Sequence, residues 1–259
     1  MVELSLKERK ELSLEILQYI KKVCEDNCIH YYLAYGTLLG SVRHRGFIPW
    51  DDDIDIWVPF DEYRSLMNIL SNSKRYELLD FTSGDKWKGY FSKLSDPSTT
   101  IVDNSNNCSI KRGVSVDIFP LYNYDRSSLK SSKMNKYVGK LKMISNYYNK
   151  QYASFAKRLY CRTMLLFFWD YNKIIRELFA LNDKLSSSNS LACLGSIYNS
   201  KDRYDKEWFN SFKEMPFENC FFVVPNNYES VLTKLYGDYN QLPPVNLRVS
   251  NHNVKAYRL

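Results

Sequence analysis

Apolar positions along the chain change their period several times, and each change marks an element. After the charged start MVELSLKERKEL, residues Leu12, Ile16, Tyr19, Ile20 and Val23 recur at helical spacing. That predicts an amphipathic first helix, and Ser5 followed by Glu8 supplies its capping-box signature. HYYLAY, His30 to Tyr35, is rich in strand formers and stops at Gly36, so it reads as a buried strand. Gly36 and Gly46 then bracket a turn feeding a short helix. Ile54, Ile56 and Val58 alternate with Asp53, Asp55 and Trp57, the pattern of a strand with one buried face. Pro59 ends that strand, and Asp61 is placed to cap the helix DEYRSLMNIL.

Further strands are expected at YELLDF, FSKLSD, TTIVD and VSVDIFPLY. From Ser127 to Leu185 the pattern is helical and basic, and KLSSSNS then reads as a loop. The tail returns with a strand at CFFVVP, a helix at NYESVLTKLYGDY and a stop at Pro243-Pro244. The expected fold class is α+β: a mixed-sheet catalytic core over residues 1–125, a basic helical insertion over 126–200, and a C-terminal segment, 201–259, returning to the core.

Composition narrows the setting. The chain has 259 residues, 44% of them hydrophobic, enough for a sizeable core. Its six cysteines include no C-x-x-C pair, and its start lacks the apolar stretch of a secretory signal, which points to a reducing, cytoplasmic setting. The apolar run Met164 to Trp169 is far too short to span a bilayer. The net charge of +7 is uneven, with 13 lysines and arginines against 3 acids between Arg126 and Lys184. One reading is a solvated helical face. The other is attraction to an anionic surface, either phospholipid headgroups on the inner face of the cell membrane or a polyanionic acceptor. Nucleic acid has a minor claim, because lysines there interleave with Tyr147, Tyr148, Tyr152 and Phe155.

The candidate chemistry begins with four aspartates in five positions, Asp51 to Asp55. Crowded carboxylates raise one another's cost of ionising, so a cation or water must compensate them. Residues two apart on a strand share a side, which sets Asp53 and Asp55 about 7 Å apart, facing one or two hard cations. Asp117, in the apolar GVSVDIFP, offers a third carboxylate where an unpaired charge is expensive. Gly36-Thr37-x-x-Gly40 follows a strand and opens a helix, where glycines admit a phosphate and the helix N-terminus favours its charge. Arg43, His44 and Arg45 add cationic donors. Together these features resemble a polymerase-β-type nucleotidyltransferase core, in which D-x-D on one strand and a later aspartate bind Mg²⁺.

Other readings compete. Asp51, Asp53, Asp55 and Glu62 match calcium-ligand positions of an EF-hand, although Ile56 stands where that loop needs glycine. A solvated acidic loop accounts for Asp51 and Asp52, but poorly for Asp53 and Asp55 beside isoleucines. Asp117 could serve only to pair a lysine or arginine.

YGTLLGSVRHRGFIPWDDDIDIWVP resembles the signature of the LicD-type phosphotransferases, bacterial phosphocholine transferases related to the fukutins. The likeness continues in SKLSDPSTTIVD, GVSVDIFPLYN and WFNSFKEMPFENCFFVVPNNYESVLTKLYGDYNQLPP, while residues 126–200 match only in being helical. It implies a nucleotidyltransferase-like fold that moves a phospho-substituent from a CDP-activated donor to a sugar hydroxyl and releases CMP. Phosphocholine from CDP-choline is the leading expectation, with a teichoic-acid, lipooligosaccharide or lipid-linked oligosaccharide acceptor. Phosphoribitol or phosphoglycerol is the related alternative. The resemblance implies that Asp53 and Asp55, with Asp51 contributing, hold Mg²⁺ or Mn²⁺, and that Asp117 is a further ligand or the base. It implies that Gly36, Thr37, Gly40, Arg43 and Lys93 line the donor site, joined by Arg248 and His252 after the Pro-Pro. Trp50, Trp57 and Trp87 are candidates for an aromatic cage around a quaternary ammonium. Two further alternatives are a nucleotidyltransferase that adds NMP and releases pyrophosphate, and a calcium- or glycan-binding module without turnover.

Overall fold

The capping box forms as expected. Ser5 Oγ accepts the Glu8 amide, and Glu8 reaches back to the Ser5 amide. Helix α1 (Leu6–Asp26) follows, preceded by a short strand β1 (Val2–Glu3), and buries Ile16, Leu17, Ile20 and Cys24. The computed structural model describes residues 1–103, 112–149, 154–249 and 254–259. Next come β2 (Tyr32–Leu33), α2 (Tyr35–His44), β3 (Asp55–Pro59), α3 (Phe60–Leu70), β4 (Glu77–Leu79), β5 (Ser92–Ser95), β6 (Thr99–Asp103) and β7 (Ser115–Tyr124). Helices α4 (Leu129–Tyr148), α5 (Phe155–Phe167) and α6 (Tyr171–Asp183) form the middle. The chain ends with β8 (Ser190–Ala192), β9 (Arg203–Asp205), β10 (Phe212–Phe217), β11 (Cys220–Pro225), α7 (Tyr228–Tyr236) and β12 (Val254–Arg258).

The architecture is mixed helix and sheet. The main sheet runs in the order β2-β3-β7-β5-β4, with β8 paired to the far end of β7 and β9 beyond it. Only β3 and β7 run parallel in that sheet; the other described pairs are antiparallel. A smaller sheet, β1-β12-β6, ties the first strand to the last, and the β10–β11 hairpin packs against β2. One continuous apolar core joins α1, the main sheet, α3, α4 and α6. No helix among the described residues is long and apolar enough to cross a membrane.

The sequence pattern misjudged several elements. The aspartate strand begins only at Asp55, and it is buried on both faces rather than one: Trp57 is 0% exposed, packed by Tyr35, Tyr204 and Phe209. The cover comes from β9 and the turn after it, more than 140 positions away in sequence by the numbering. Helix α3 starts at Phe60 with Pro59 before it, and Asp61 accepts from Asn123 Nδ2 instead of capping. KLSSSNS ends in β8, whose Ser190 pairs with Tyr124 of β7.

Candidate active site

Strand register brings three charged side chains of this region into one row. On the parallel β3–β7 pair Asp55 lies opposite Asp117, and on the antiparallel β5–β7 pair Lys93 lies opposite the same Asp117. The Lys93 ammonium bonds Asp117 Oδ1, with 13% and 16% of the two side chains exposed. On β7 the half-buried Asp117 and Phe119 alternate with the buried Val116 and Ile118, so the acid and the ring share the more open face. Asp55 is held from behind: its amide donates to Thr37 Oγ1 at 2.9 Å and its carbonyl accepts from Ala34 at 2.9 Å.

The electrostatics of this row are unfavourable by construction. Burial, then Asp53 and Asp117, hold the Asp55 carboxyl well above the usual carboxylate range, and Asp51 adds to the effect. Burial also raises Asp117; Lys93 opposes the rise and Asp53 reinforces it. The other three acids named from the sequence thus all act on Asp55. Among the described residues, however, no three acidic, histidine or cysteine side chains stand ready as a metal cage. A two-carboxylate seat still suits Mg²⁺ or Mn²⁺, which keep several waters and take substrate phosphate oxygens as the remaining ligands.

Gly36 and Gly40 make room for the protein's own acidic loop. A Cβ on Gly36 would sit 2.4 Å from Asp51 Oδ2, and one on Gly40 would sit 2.4 Å from the Gly46 carbonyl. Asp52 is not solvated: it takes Arg9 Nη1 at 2.8 Å, and its side chain is 4% exposed. The EF-hand reading fails, because β3 and α3 replace the loop and Glu62 binds His30 Nδ1 at 2.9 Å.

The basic residues form a second group. Arg43 donates to the Tyr239 carbonyl at 2.9 Å, and burial with Arg43 beside it lowers the pKa of His44. His44 meets Trp50 edge-on at 6.2 Å, and Arg248 lies over that indole at 5.8 Å. Tyr236 links the two groups, since its hydroxyl feels Asp55 and Asp51 and acts in turn on Arg43. His252 lies outside the described residues. Trp57 and Trp87 are buried in the core, and the Trp87 and Phe91 rings already face the Lys93 ammonium at 5.8 and 5.2 Å.

The sequence missed the site's aromatic wall. Phe91 stacks on Phe119 at 4.4 Å, Tyr35 meets Phe119 edge-on at 5.5 Å, and Tyr198 stacks on Tyr35 at 5.3 Å. Tyr35 holds φ 43°, a left-handed backbone rare for an aromatic residue, and its hydroxyl donates to Asp202 Oδ2 at 2.5 Å. Tyr35 and Phe119 lie in the signature stretches, but with 21 tyrosines in the chain nothing in sequence joins Tyr198 to them. A separate cavity of about 610 Å³, lined by Arg64, Asp80, Phe81, Arg176 and Phe179 among others, shares no residue with this site.

Asp202 yields a prediction. Burial raises its carboxyl from 3.8 to about 6, so the folded chain prefers it neutral. A raised acid stabilises the fold while protonated, and that contribution is lost as pH climbs from 3.8 through about 6. Asp202→Asn should therefore be more stable than wild type above that window, by roughly 2 kcal/mol. The gain falls short of the full ionisation cost because Oδ1 has no partner to receive an amide. Urea melts at both ends of the window check it; equal gains at both ends would contradict it.

The candidate site thus comprises an acid pair with a lysine in register on the main sheet, and a separate basic group at Arg43 and Arg248. The chain belongs to the family described as LicD/FKTN/FKRP, nucleotidyltransferase domain, whose profile matches residues 28–160. It is 29% identical, over all of both chains, to lipopolysaccharide cholinephosphotransferase LicD of Haemophilus influenzae. It is also 38% identical over 48 residues, 18% of this chain and 10% of the relative, to the human ribitol 5-phosphate transferase FKRP. An uncharacterized Rickettsia prowazekii protein, RP689, is 39% identical over 75 residues, 29% of this chain and 27% of its own.

Proposed function

We propose that this protein is a cytoplasmic phosphotransferase that moves phosphocholine from CDP-choline to a hydroxyl of a cell-surface glycan precursor, releasing CMP. The observation that carries the reading is the Asp55–Asp117–Lys93 row on three neighbouring strands. The full-length likeness to a cholinephosphotransferase supports phosphocholine as the group. The shorter likeness to a ribitol 5-phosphate transferase keeps phosphoribitol as the second reading.

The scaffold we propose is a nucleotidyltransferase-like core. Asp55 and Asp117 would hold Mg²⁺ or Mn²⁺, with the Asp53 charge acting on both, and the ion when bound neutralises the donor's diphosphate. Lys93, Arg43 and Arg248 supply further positive charge along that diphosphate, and His44 and His252 lie with the arginines in sequence. The wall of Phe91, Phe119 and Tyr198 offers aromatic surface to a quaternary ammonium or a cytosine. Asp117 takes the acceptor's hydroxyl proton as the acceptor oxygen bonds to phosphorus and the bond from phosphorus to the CMP oxygen breaks. Little else is needed, because positioning and charge neutralisation dominate phosphoryl transfer.

The test is incubation with Mg²⁺ and a panel of CDP-activated donors, with a hydroxyl acceptor present, while CMP and pyrophosphate are followed. CMP release confined to CDP-choline is the expected result. CMP from CDP-ribitol or CDP-glycerol alone would replace the group, and pyrophosphate from an NTP would replace the reaction by nucleotidyl transfer.

A further inference from the structure

Helix α5 departs from the rule that a helix hides its apolar stripe. Among its 13 residues only Cys161 is buried. Met164 and Leu165 pack partly against the core beside it. On the opposite side Phe155, Leu159 and Leu166 are 78%, 51% and 67% exposed. At about 100° per residue these three fall within roughly 40° of one another, forming a single outward stripe. Phe167, about 80° around the helix from Leu159, and Phe168, just past the helix end, are also exposed, at 73% and 72%. Arg162 and Arg158 flank the stripe on one side, about 20° and about 60° from Phe155, and α5 contains no acidic residue.

We propose that α5 is an interfacial helix that seats the protein on an anionic phospholipid surface, its phenylalanines and leucines entering the headgroup–acyl boundary while Arg158 and Arg162 meet lipid phosphates. The combination of exposed rings and leucines with flanking arginines is the composition of helices lying in a membrane interface. It goes beyond a general attraction of the basic segment to anions. A polyanionic glycan would engage the arginines but leave the phenylalanines and leucines in water, without compensation. A second copy of the chain, paired through this face by two-fold symmetry, would oppose arginine to arginine with no acid of α5 between them. Only a lipid surface satisfies both halves of the stripe. The inference does not depend on which group the active site transfers. A helix lying in the interface would keep the enzyme beside acceptors carried on lipid.

Sedimentation with vesicles tests it. The full chain should bind vesicles of phosphatidylglycerol and phosphatidylcholine and bind pure phosphatidylcholine far less. Leu159→Ser combined with Leu166→Ser should weaken binding more than about tenfold. Arg158→Gln and Arg162→Gln should each weaken it about fivefold. These substitutions are at exposed positions, so thermal midpoints and CMP release from a soluble donor should match wild type. A tryptophan introduced by Phe167→Trp should shift to the blue and be quenched by brominated lipid chains. Three results would overturn the proposal: equal binding by the leucine variant, binding to a soluble polyanion but not to vesicles, or a concentration-dependent dimer abolished by the leucine substitutions without vesicle binding.

Discussion

Asp55→Asn is expected to lower CMP release by at least about a thousandfold while leaving the fold as stable as wild type or more so. Asp117→Asn should lose the activity and, by stranding the Lys93 ammonium, some stability as well. The two halves of the Asp55 result come from one cause. The Asp55 carboxyl is raised by burial and by its acidic neighbours, so ionising it inside the fold costs free energy. An acid raised in this way contributes stability when protonated and loses it as pH rises through its folded value. Asparagine removes that loss and removes the charge that metal and phosphate chemistry would use. Lys93→Met should behave differently: it leaves Asp117 buried without the ammonium that bonds it, and stability should fall along with activity. If Asp117 existed only to pair Lys93, Asp117→Asn would destabilise the fold and turnover would survive. Denaturant midpoints measured beside CMP release separate the two cases.

How much of this was legible follows from which interactions are local. The alternation Asp53 to Val58 marks its strand in any reading, and an acid inside GVSVDIFP stands out because its neighbours are apolar. The short-range capping box, CFFVVP and the helical character of the middle segment were likewise visible, being set by neighbours within a few positions, although its division into three helices was not. Lys93 was reached only through a family resemblance, since its pairing with Asp117 is a matter of antiparallel register between β5 and β7. Trp57 looked like a surface residue because the elements covering it come from the 200s of the chain. Strands β1 and β12 pair across nearly the whole chain and carry too few apolar residues to announce themselves. Tyr198 and Asp202 belong to no motif, and only the fold gathers them around Tyr35 of the signature stretch.

Gly40→Ala offers the sharpest test of what the glycines do, and it should cost about 3 kcal/mol or more. The added methyl would meet the Gly46 carbonyl at 2.4 Å and the Ile48 amide at 3.4 Å, both backbone atoms. That backbone has little freedom to retreat. The Gly46 amide bonds Gly40, Arg45 accepts the Glu218 amide at 2.8 Å, and Phe47 donates to Glu218 at 3.0 Å. Relief must therefore come from shifting the loop that leads to Asp51 and Asp55, so activity should fall with stability. Gly139→Ala is the control: it lies in α4 with nothing within 4 Å of the added carbon, and should stabilise by roughly 0.5–1 kcal/mol. Urea melts and CMP release on both variants decide the point. A Gly40→Ala protein as stable as wild type but unable to use donor would mean that the glycine serves the donor phosphate. A protein that loses both together means that it serves the packing of the aspartate loop.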